Sequence, residues 1–432
     1  MFIRPLNRRR LLQAGGLTTA AALLTGRGHA QTFDATYAKP SEVDTGRVDN
    51  GEVVFPEWRG PADAPSSPPP APLPPEQRIG FAIVGLGRLS LQELLPAFGE
   101  CGRAKVTALV SGSPEKLATV AKQYGVPERS CYSYENFDQI ADNPDVQVVY
   151  VVLPNGMHRE YVERAAAAGK HVLCEKPMAT SVADAEAMVT ACREAGRKLM
   201  VAYRIQYQSH NIRAMRMVRD ETFGRLTTMT ATNVQTVAEN GARQWRHDRS
   251  LAGGGSLPDI GIYCINTARF LTGLEPRQVY GQIHSPKGDP RYREVEETVN
   301  FQLHFDNGFT ANCTTSYGAR NDKHQRLNFA EATLDMPDAY SYRGQRLLVG
   351  EREGEYAQVR EIMIPPKNQF AEQMDHMADC VLQDLVPRTP GEEGVQDHRI
   401  MAAIYASAES NAPVALETPN KTDAYRRLPS KG

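Results

Sequence analysis

Ile79-Gly80-Phe81-Ala82-Ile83-Val84 runs without a break into Gly85-Leu86-Gly87-Arg88-Leu89-Ser90, and a helical pattern continues from there through Ala97. Six nearly uniform apolar residues before a glycine pair read as a strand buried on both faces, the kind found in parallel sheets. A glycine at 85 permits a tight turn, and a second at 87 lets a backbone come close to a pyrophosphate at the start of a helix. Gly85, Leu86, Gly87, Arg88 and Leu89 are therefore candidate dinucleotide contacts. The third small position holds Ser90 where glycine or alanine is usual.

Downstream of this turn, short apolar runs alternate with helical stretches. Val106 to Val110, Val146 to Leu153, His171 to Leu173 and Leu199 to Ala202 read as further strands. That alternation predicts a doubly wound parallel sheet over residues 79–202. After Tyr203 the runs become longer and richer in β-formers: Leu226 to Val237, Gln278 to His284, Thr298 to Phe305, Phe309 to Ser316 and Arg326 to Leu334. Turn signals such as Asp306-Asn307-Gly308 sit between them at hairpin spacing. Residues 203–432 are expected to form an open-faced, largely antiparallel sheet with helices near 207–220, 259–272, 368–385 and 396–412. The fold class is α/β plus α+β.

Upstream the character changes. Nine of the twenty positions from Pro56 to Pro75 are proline, which excludes helix or central strand and predicts an extended arm over 31–78. Before it, Arg8-Arg9-Arg10 precedes a short, mildly apolar run from Ala14 to Leu24 and a small-x-small site at Gly28-His29-Ala30. This order reads as a twin-arginine signal over residues 1–30, hence passage through the twin-arginine export machinery to the periplasm with no stable membrane anchor. The run is too short to span a bilayer.

Composition narrows the partners. The 49 basic and 51 acidic residues leave a net charge of −2, so no overall field would hold nucleic acid. Seven cysteines are scattered singly and are read as reduced thiols, as export in the folded state allows. Neither they nor the ten histidines have metal-ligand spacing, and no metal is expected. At the end of the second strand, where an acid usually receives the ribose 2′-hydroxyl of NAD, stands Ser111, followed by Lys116. An uncharged serine with Lys116 and Arg88 nearby favours NADP.

Further motifs follow in order: Leu153-Pro154-Asn155 with His158, Cys174-Glu175-Lys176-Pro177, and Gly253-Gly254-Gly255-Ser256-Leu257-Pro258-Asp259-Ile260-Gly261-Ile262-Tyr263. With the glycine turn they give a chain that resembles the glucose-fructose oxidoreductase/inositol dehydrogenase/rhizopine catabolism family over residues 79 to about 412. Within it, the signal, the proline arm and the EKPMATSVADAE segment are most similar to the periplasmic glucose-fructose and aldose-aldose oxidoreductase branch. The resemblance implies a sugar held between the two domains over a tightly bound NADP. One aldose would be oxidised at C1 to its lactone and a second sugar reduced to an alditol, in a ping-pong hydride transfer. An exported enzyme has no soluble pool to recycle its cofactor, which suits that scheme.

Tyr263 is the candidate acid/base, because DIGIY sets it one helical turn after Asp259. A phenol titrating near about 10 needs a neighbouring cation to act at neutral pH, and Lys176 can be that cation, with Asp259 orienting it or the substrate. Many members of the family carry histidine in place of Tyr263. The resemblance further implies that Pro154, Asn155, His158 and Glu175 lie along the nicotinamide ribose. Tyr203-Arg204 and Trp245-Arg246 would close over cofactor and substrate, and Tyr207, His210 and Tyr317 would touch the sugar. A homo-oligomer is expected, dimer or tetramer. Two other functions compete: an exported NAD-dependent glycoside hydrolase of the same family, and a cofactor-loaded sugar-binding protein without turnover.

Overall fold

In the computed structural model, the described residues are 47–49, 52–54, 72–237 and 244–417. The signal segment 1–30 and most of the arm lie outside them. Within the arm, Arg47–Asp49 and Glu52–Val54 pair antiparallel. They belong to a unit, residues 1–70, that is separate from the compact unit formed by 71–432.

The apolar run that opened the sequence is strand β1 (Ile79–Val84). It is central in a six-stranded parallel sheet with β2 (Ala104–Val110), β3 (Cys131–Tyr132), β4 (Val148–Val151), β5 (His171–Cys174) and β6 (Leu199–Val201). The order β3-β2-β1-β4-β5-β6 is that of a doubly wound dinucleotide fold. Alternate residues of β1 feed the two covering layers, Ala82 and Val84 on one side, Phe81 and Ile83 on the other. All are fully buried, which is why the strand carries no polar face. Helices α1 (Pro114–Tyr124), α2 (His158–Ala167) and α3 (Val182–Glu194) connect the strands. Ser113 and Ser181 cap α1 and α3 with their side chains.

The second sheet follows helix α4 (Ser209–Arg219). Its strands are β7 (Leu226–Thr236), β8 (Pro276–His284), β9 (Thr298–Phe305), β10 (Thr310–Ser316), β11 (Gly318–Asp322), β12 (Gln325–Phe329), β13 (Ala332–Met336), β14 (Leu348–Glu353), β15 (Tyr356–Glu361) and β16 (Val414–Ala415). The order is β15-β14-β13-β12-β7-β10-β9-β8-β16, with β11 also on β7. Only β7 and β10 pair parallel. The expected run from Arg326 to Leu334 is two strands, because the chain turns between Phe329 and Ala332. Strands β14 and β15 escaped the sequence reading: β15 is exposed throughout and has no apolar alternation to betray it.

Helix α5 (Ile262–Thr272) is preceded by a π turn over Leu257–Gly261. Two further described helices are α6 (Gln369–Leu382) and α7 (Gly391–Ser410). Phe370, Met374 and Met377 of α6 pack into the apolar layer that holds Phe81 and Ile83 of β1. The Asp375 carboxylate accepts from the backbone N–H groups of Gly102, Arg103 and Ala104 at 2.7, 2.8 and 3.0 Å. The chain thus returns to the nucleotide domain after the second sheet. Helix α7 begins five residues earlier than expected, since Gly391 and Gly394 fit against Leu199 and Met178, where a side chain would collide.

Candidate functional site

The two glycines of the first turn have different reasons to be there. Gly85 has φ +98°, and a Cβ on it would stand 2.3 Å from the Val152 carbonyl oxygen. The protein's own backbone demands that glycine. A Cβ on Gly87 would meet nothing within 4 Å. Its lack of a side chain serves something other than this chain's packing, and an approaching diphosphate fits that cradle. Ser90, the departure from the expected small residue, donates its hydroxyl to the Gly85 carbonyl at 2.5 Å and so ties the turn to the helix start. Leu86 is buried, Leu89 is half-buried and Arg88 is exposed. Lys116 reaches back to donate to the Leu86 carbonyl at 3.1 Å. Ser111 is buried and accepts from the Ser113 N–H. Lys116 thus reaches the glycine turn, and Ser111 directly follows Val110, whose carbonyl accepts from the Gly85 N–H.

At the carboxyl end of β5, Glu175 is buried, and its carboxylate accepts from the Tyr150 hydroxyl at 2.7 Å and the Lys176 N–H at 3.1 Å. Burial raises its pKa, against the pull of those partners. Lys176, joined to Pro177 by a cis peptide bond, sends its ammonium to the Asp259 carbonyl at 2.6 Å and to Asp259 Oδ1 at 3.4 Å. Asp259 Oδ2 accepts from the Tyr317 hydroxyl at 2.7 Å and pairs with Arg246 at 3.3 Å. Burial would raise the Asp259 carboxyl, but Arg246 and Lys176 outweigh it and hold the group at about 2. Burial likewise presses the Lys176 ammonium down, while Tyr263, Asp259 and Glu175 more than restore it. Lysine and aspartate are therefore both charged across the ordinary pH range.

Tyr263 completes the set. Its ring lies 4.8 Å from the Lys176 ammonium and 4.8 Å from the Arg204 guanidinium. The intervening π turn makes the step from Asp259 to Tyr263 wider than the α-helical one expected. Tyr263 is only 7% exposed, yet its hydroxyl has no hydrogen-bond partner among the described residues and is not sealed from solvent. A phenol presented in this way between two cations can take or give a proton to a ligand.

The run Gly253-Gly254-Gly255 that precedes the turn is forced by what crowds it. Gly253 has φ +78°, a Cβ on Gly254 would fall 2.1 Å from the Tyr405 hydroxyl, and one on Gly255 would fall 1.9 Å from the Glu296 carbonyl. The Glu296 carboxylate accepts from the N–H groups of Gly255 and Leu257 at 2.8 and 2.9 Å, satisfying donors the helix start leaves open. Asn233 of β7 donates to the Ile260 carbonyl at 2.9 Å. Glu296, Asn233 and Gln369, which accepts from Arg204 at 2.7 Å, escaped the sequence reading. Each acts through a tertiary contact that leaves no local pattern.

Several anticipated residues are placed differently. His158 is fully buried, with Nδ1 3.0 Å from the Pro177 carbonyl and Nε2 2.9 Å from that of Leu153. A neutral imidazole donates to one of these carbonyls, which pins the loop bearing Lys176. Asn155 donates to the Ala252 carbonyl at 2.9 Å and ties the Pro154 loop to the segment before the glycine run. Arg204 turns into the second sheet domain, donating to the carbonyls of Tyr340 and Ser341 and to Gln369, with Tyr342 stacked 4.5 Å away. Tyr207 is away from the cluster: it packs under the parallel sheet against His376 and Arg388, its hydroxyl on Thr389. The His210 ring bonds to Gln208 and to none of Lys176, Asp259 or Tyr263. Tyr317 does join the cluster, as the support of Asp259. Arg246 lies over the Trp245 ring at 4.4 Å and closes the Asp259 side. Among the described residues no group of metal-binding side chains is found, and no helix is long and apolar enough to cross a membrane. All seven cysteines are free thiols, six of them buried.

Comparison with known proteins gives matches over both the nucleotide domain and the second sheet. Residues 79–203 match the oxidoreductase family with an NAD-binding Rossmann fold, and residues 212–330 match the GFO/IDH/MocA C-terminal domain. The chain is 32% identical over 342 residues to the NADP D-xylose 1-dehydrogenase of Haloarcula marismortui, covering 78% of this chain and 93% of that one. It is 28% identical over 340 residues to a second such enzyme from Haloferax volcanii, covering 78% and 99%. The crystal structure of aldose-aldose oxidoreductase from Caulobacter crescentus, complexed with glycerol, superposes with a TM-score of 0.75 at 47% identity, over 78% of this chain and all of that one.

Proposed function

This chain belongs to the GFO/IDH/MocA oxidoreductase family, and from that premise we propose that it is a periplasmic sugar oxidoreductase holding NADP tightly between turnovers. One aldose is oxidised at C1 to its lactone, and a second sugar, ketose or aldose, is reduced to an alditol. The observation that carries the reading is the open Tyr263 hydroxyl, held between Lys176 and Arg204 and one contact from Asp259.

The nicotinamide supplies the chemistry of accepting and returning a hydride. The protein handles the proton. As the C1–H of a cyclic aldose leaves with its electron pair, the proton of the C1 hydroxyl passes to Tyr263 and the C1–O bond becomes the lactone carbonyl. Lys176 stabilises the oxyanion on Tyr263 during that transfer, and Asp259 keeps the ammonium in place with Tyr317 and Arg246 behind it. In the second half-reaction the carbonyl carbon of the acceptor gains the hydride, and Tyr263 returns a proton to its oxygen. Atoms and charge balance over the two halves, so no external reductant is required.

Preference for NADP is supported by an uncharged Ser111, by Lys116 reaching back to the turn, and by Arg88 within it. The names of the relatives favour sugars, and two of them are NADP enzymes. Export is supported by the arginine-led N-terminal segment and by free cysteines that need no oxidation to fold. The test is direct. Protein purified without nucleotide should release about one NADP per chain on denaturation, and glucose with fructose or a second aldose should yield lactone and alditol. Empty protein, or turnover only with added NADP, would overturn the tight-binding scheme; cleavage of a glycoside without net redox change would overturn the reaction.

A further inference from the structure

The cluster around Tyr263 holds more positive charge than its own carboxylates answer. Lys176 and Arg246 share Asp259. Arg204 is 4% exposed, and its hydrogen bonds go to two carbonyls and an amide oxygen, with no carboxylate in ion-pair range among the described residues. A buried guanidinium in that condition is costly unless a ligand supplies an anion or strong acceptors.

A fourth cation faces the same place. Strand β7 pairs antiparallel with β11 and β12, Val234 opposite Asp322 and Ala231 opposite Gln325. The same register carried between those pairs sets Lys323 opposite Asn233, and residues opposite one another share a face of the sheet. On that face the Asn233 side chain donates to the Ile260 carbonyl, directly under the turn bearing Asp259. Two residues further on, Gln325 is fully buried and receives the Tyr340 hydroxyl, and Tyr340 in turn packs 6.2 Å from Tyr263. Lys323 is half-buried, and among the described residues its ammonium has neither hydrogen bond nor ion pair. The Asn233 Oδ1 beside it is buried and also lacks a partner. Burial, then the charge of Arg204, press the Lys323 ammonium below its ordinary range, while Asp338 and Asp259 resist. Even with Asp338 counted beside Asp259 and Glu175, four cations face three carboxylates.

We propose that Lys323 is a specificity residue of the sugar site, and that the preferred donor is an aldose with a carboxylate at the end remote from C1, a hexuronate. This inference rests on the oxidoreductase reading above and names its substrate class. Oxidation at C1 is unchanged by the remote carboxylate, which gives Lys323 its missing partner and lowers the net charge of the site. A neutral hexose offers a hydroxyl there, which can accept from an ammonium but brings no charge.

The experiment compares D-glucuronate with D-glucose on the NADP-loaded protein, following reduction of the bound nicotinamide by its near-ultraviolet absorbance and protection against thermal unfolding. The wild type should favour glucuronate in kcat/KM by about tenfold, chiefly through KM, as expected for a charge-assisted contact. Lys323→Gln should bring the ratio close to one, and Lys323→Arg should restore most of it. Glucuronate should also raise Tm more than glucose does in the wild type, and no more than glucose in Lys323→Gln. A wild-type ratio at or below one, or a preference that survives in Lys323→Gln, overturns the inference and leaves the oxidoreductase reading intact. Lys323-dependent protection by glucuronate with no reduction of the nicotinamide by either sugar would sink the oxidoreductase reading and uphold Lys323 as the carboxylate contact.

Discussion

Replacing Gly87 by alanine separates folding from nucleotide binding in a way that replacing Gly85 cannot. The new methyl on Gly87 meets no atom within 4 Å, and Gly87 is not among the glycines with positive φ. Gly87→Ala should therefore leave the nucleotide-free protein as stable as wild type, or more stable by up to about 1 kcal/mol, because alanine restricts the unfolded chain. The same methyl stands where a diphosphate would approach the turn. Losing one or two hydrogen bonds to a charged group weakens binding by about 10–100-fold. Gly85→Ala should behave in the opposite order. Left-handed backbone at φ +98° and a Cβ 2.3 Å from the Val152 carbonyl cannot both be accommodated. A loss of about 2–5 kcal/mol is expected from strain and overpacking together. The assay is thermal unfolding of stripped wild type and both variants, followed by measurement of NADP retained after reloading and gel filtration. If Gly87→Ala unfolds as early as Gly85→Ala, or retains nucleotide as the wild type does, the assignment of the turn as the phosphate cradle fails.

Tyr263→Phe removes a hydroxyl with no protein partner, so Tm should stay at the wild-type value while turnover falls by about 10²–10⁴-fold; a large Tm loss would show that the hydroxyl is structural. Glu296→Ala strands the N–H groups of Gly255 and Leu257 and should cost about 2–4 kcal/mol in urea unfolding, with Glu296→Gln recovering part of it; equal losses in the two variants would contradict the capping role. His398 accepts the Ala179 N–H through Nε2, and burial holds its pKa at about 4 in the folded protein. Its contribution is complete above the unfolded value and drains away as the pH falls from about 6.5 towards the folded value, about 2 kcal/mol being lost by about pH 5. His398→Gln should flatten that part of the stability profile, and an unchanged slope would mean that the other depressed histidines, His171 and His376 among them, carry it.

The turn at Gly85 was legible in sequence because its strand is apolar on both faces and its glycines sit at fixed offsets. The sequence left Asp259 orienting either Lys176 or the substrate; the structure sets its carboxylate against the Lys176 ammonium and adds the wider π turn between Asp259 and Tyr263. What escaped prediction depends on long-range closure. The Glu296 carboxylate reaches a helix start some forty residues upstream in sequence. Asn233 and Lys323 are set opposite one another by strand register, which one apolar pattern cannot convey. His158 and Tyr207 show a related difficulty: a histidine set among backbone carbonyls and a tyrosine stacked below a sheet have the same letters as ligand-binding ones. Only the surroundings distinguish them.

The return of α6 to the first sheet has a consequence for how the protein can be taken apart. Phe370, Met374 and the Asp375 carboxylate close on the nucleotide domain from a point 169 residues or more after its last strand. A nick near Tyr203 would leave the halves stitched together, and a fragment ending there would lack the layer that covers Phe81 and Ile83. The nucleotide half is therefore not a portable cassette, and shuffling experiments that graft it onto another sugar-binding sheet must carry α6 along.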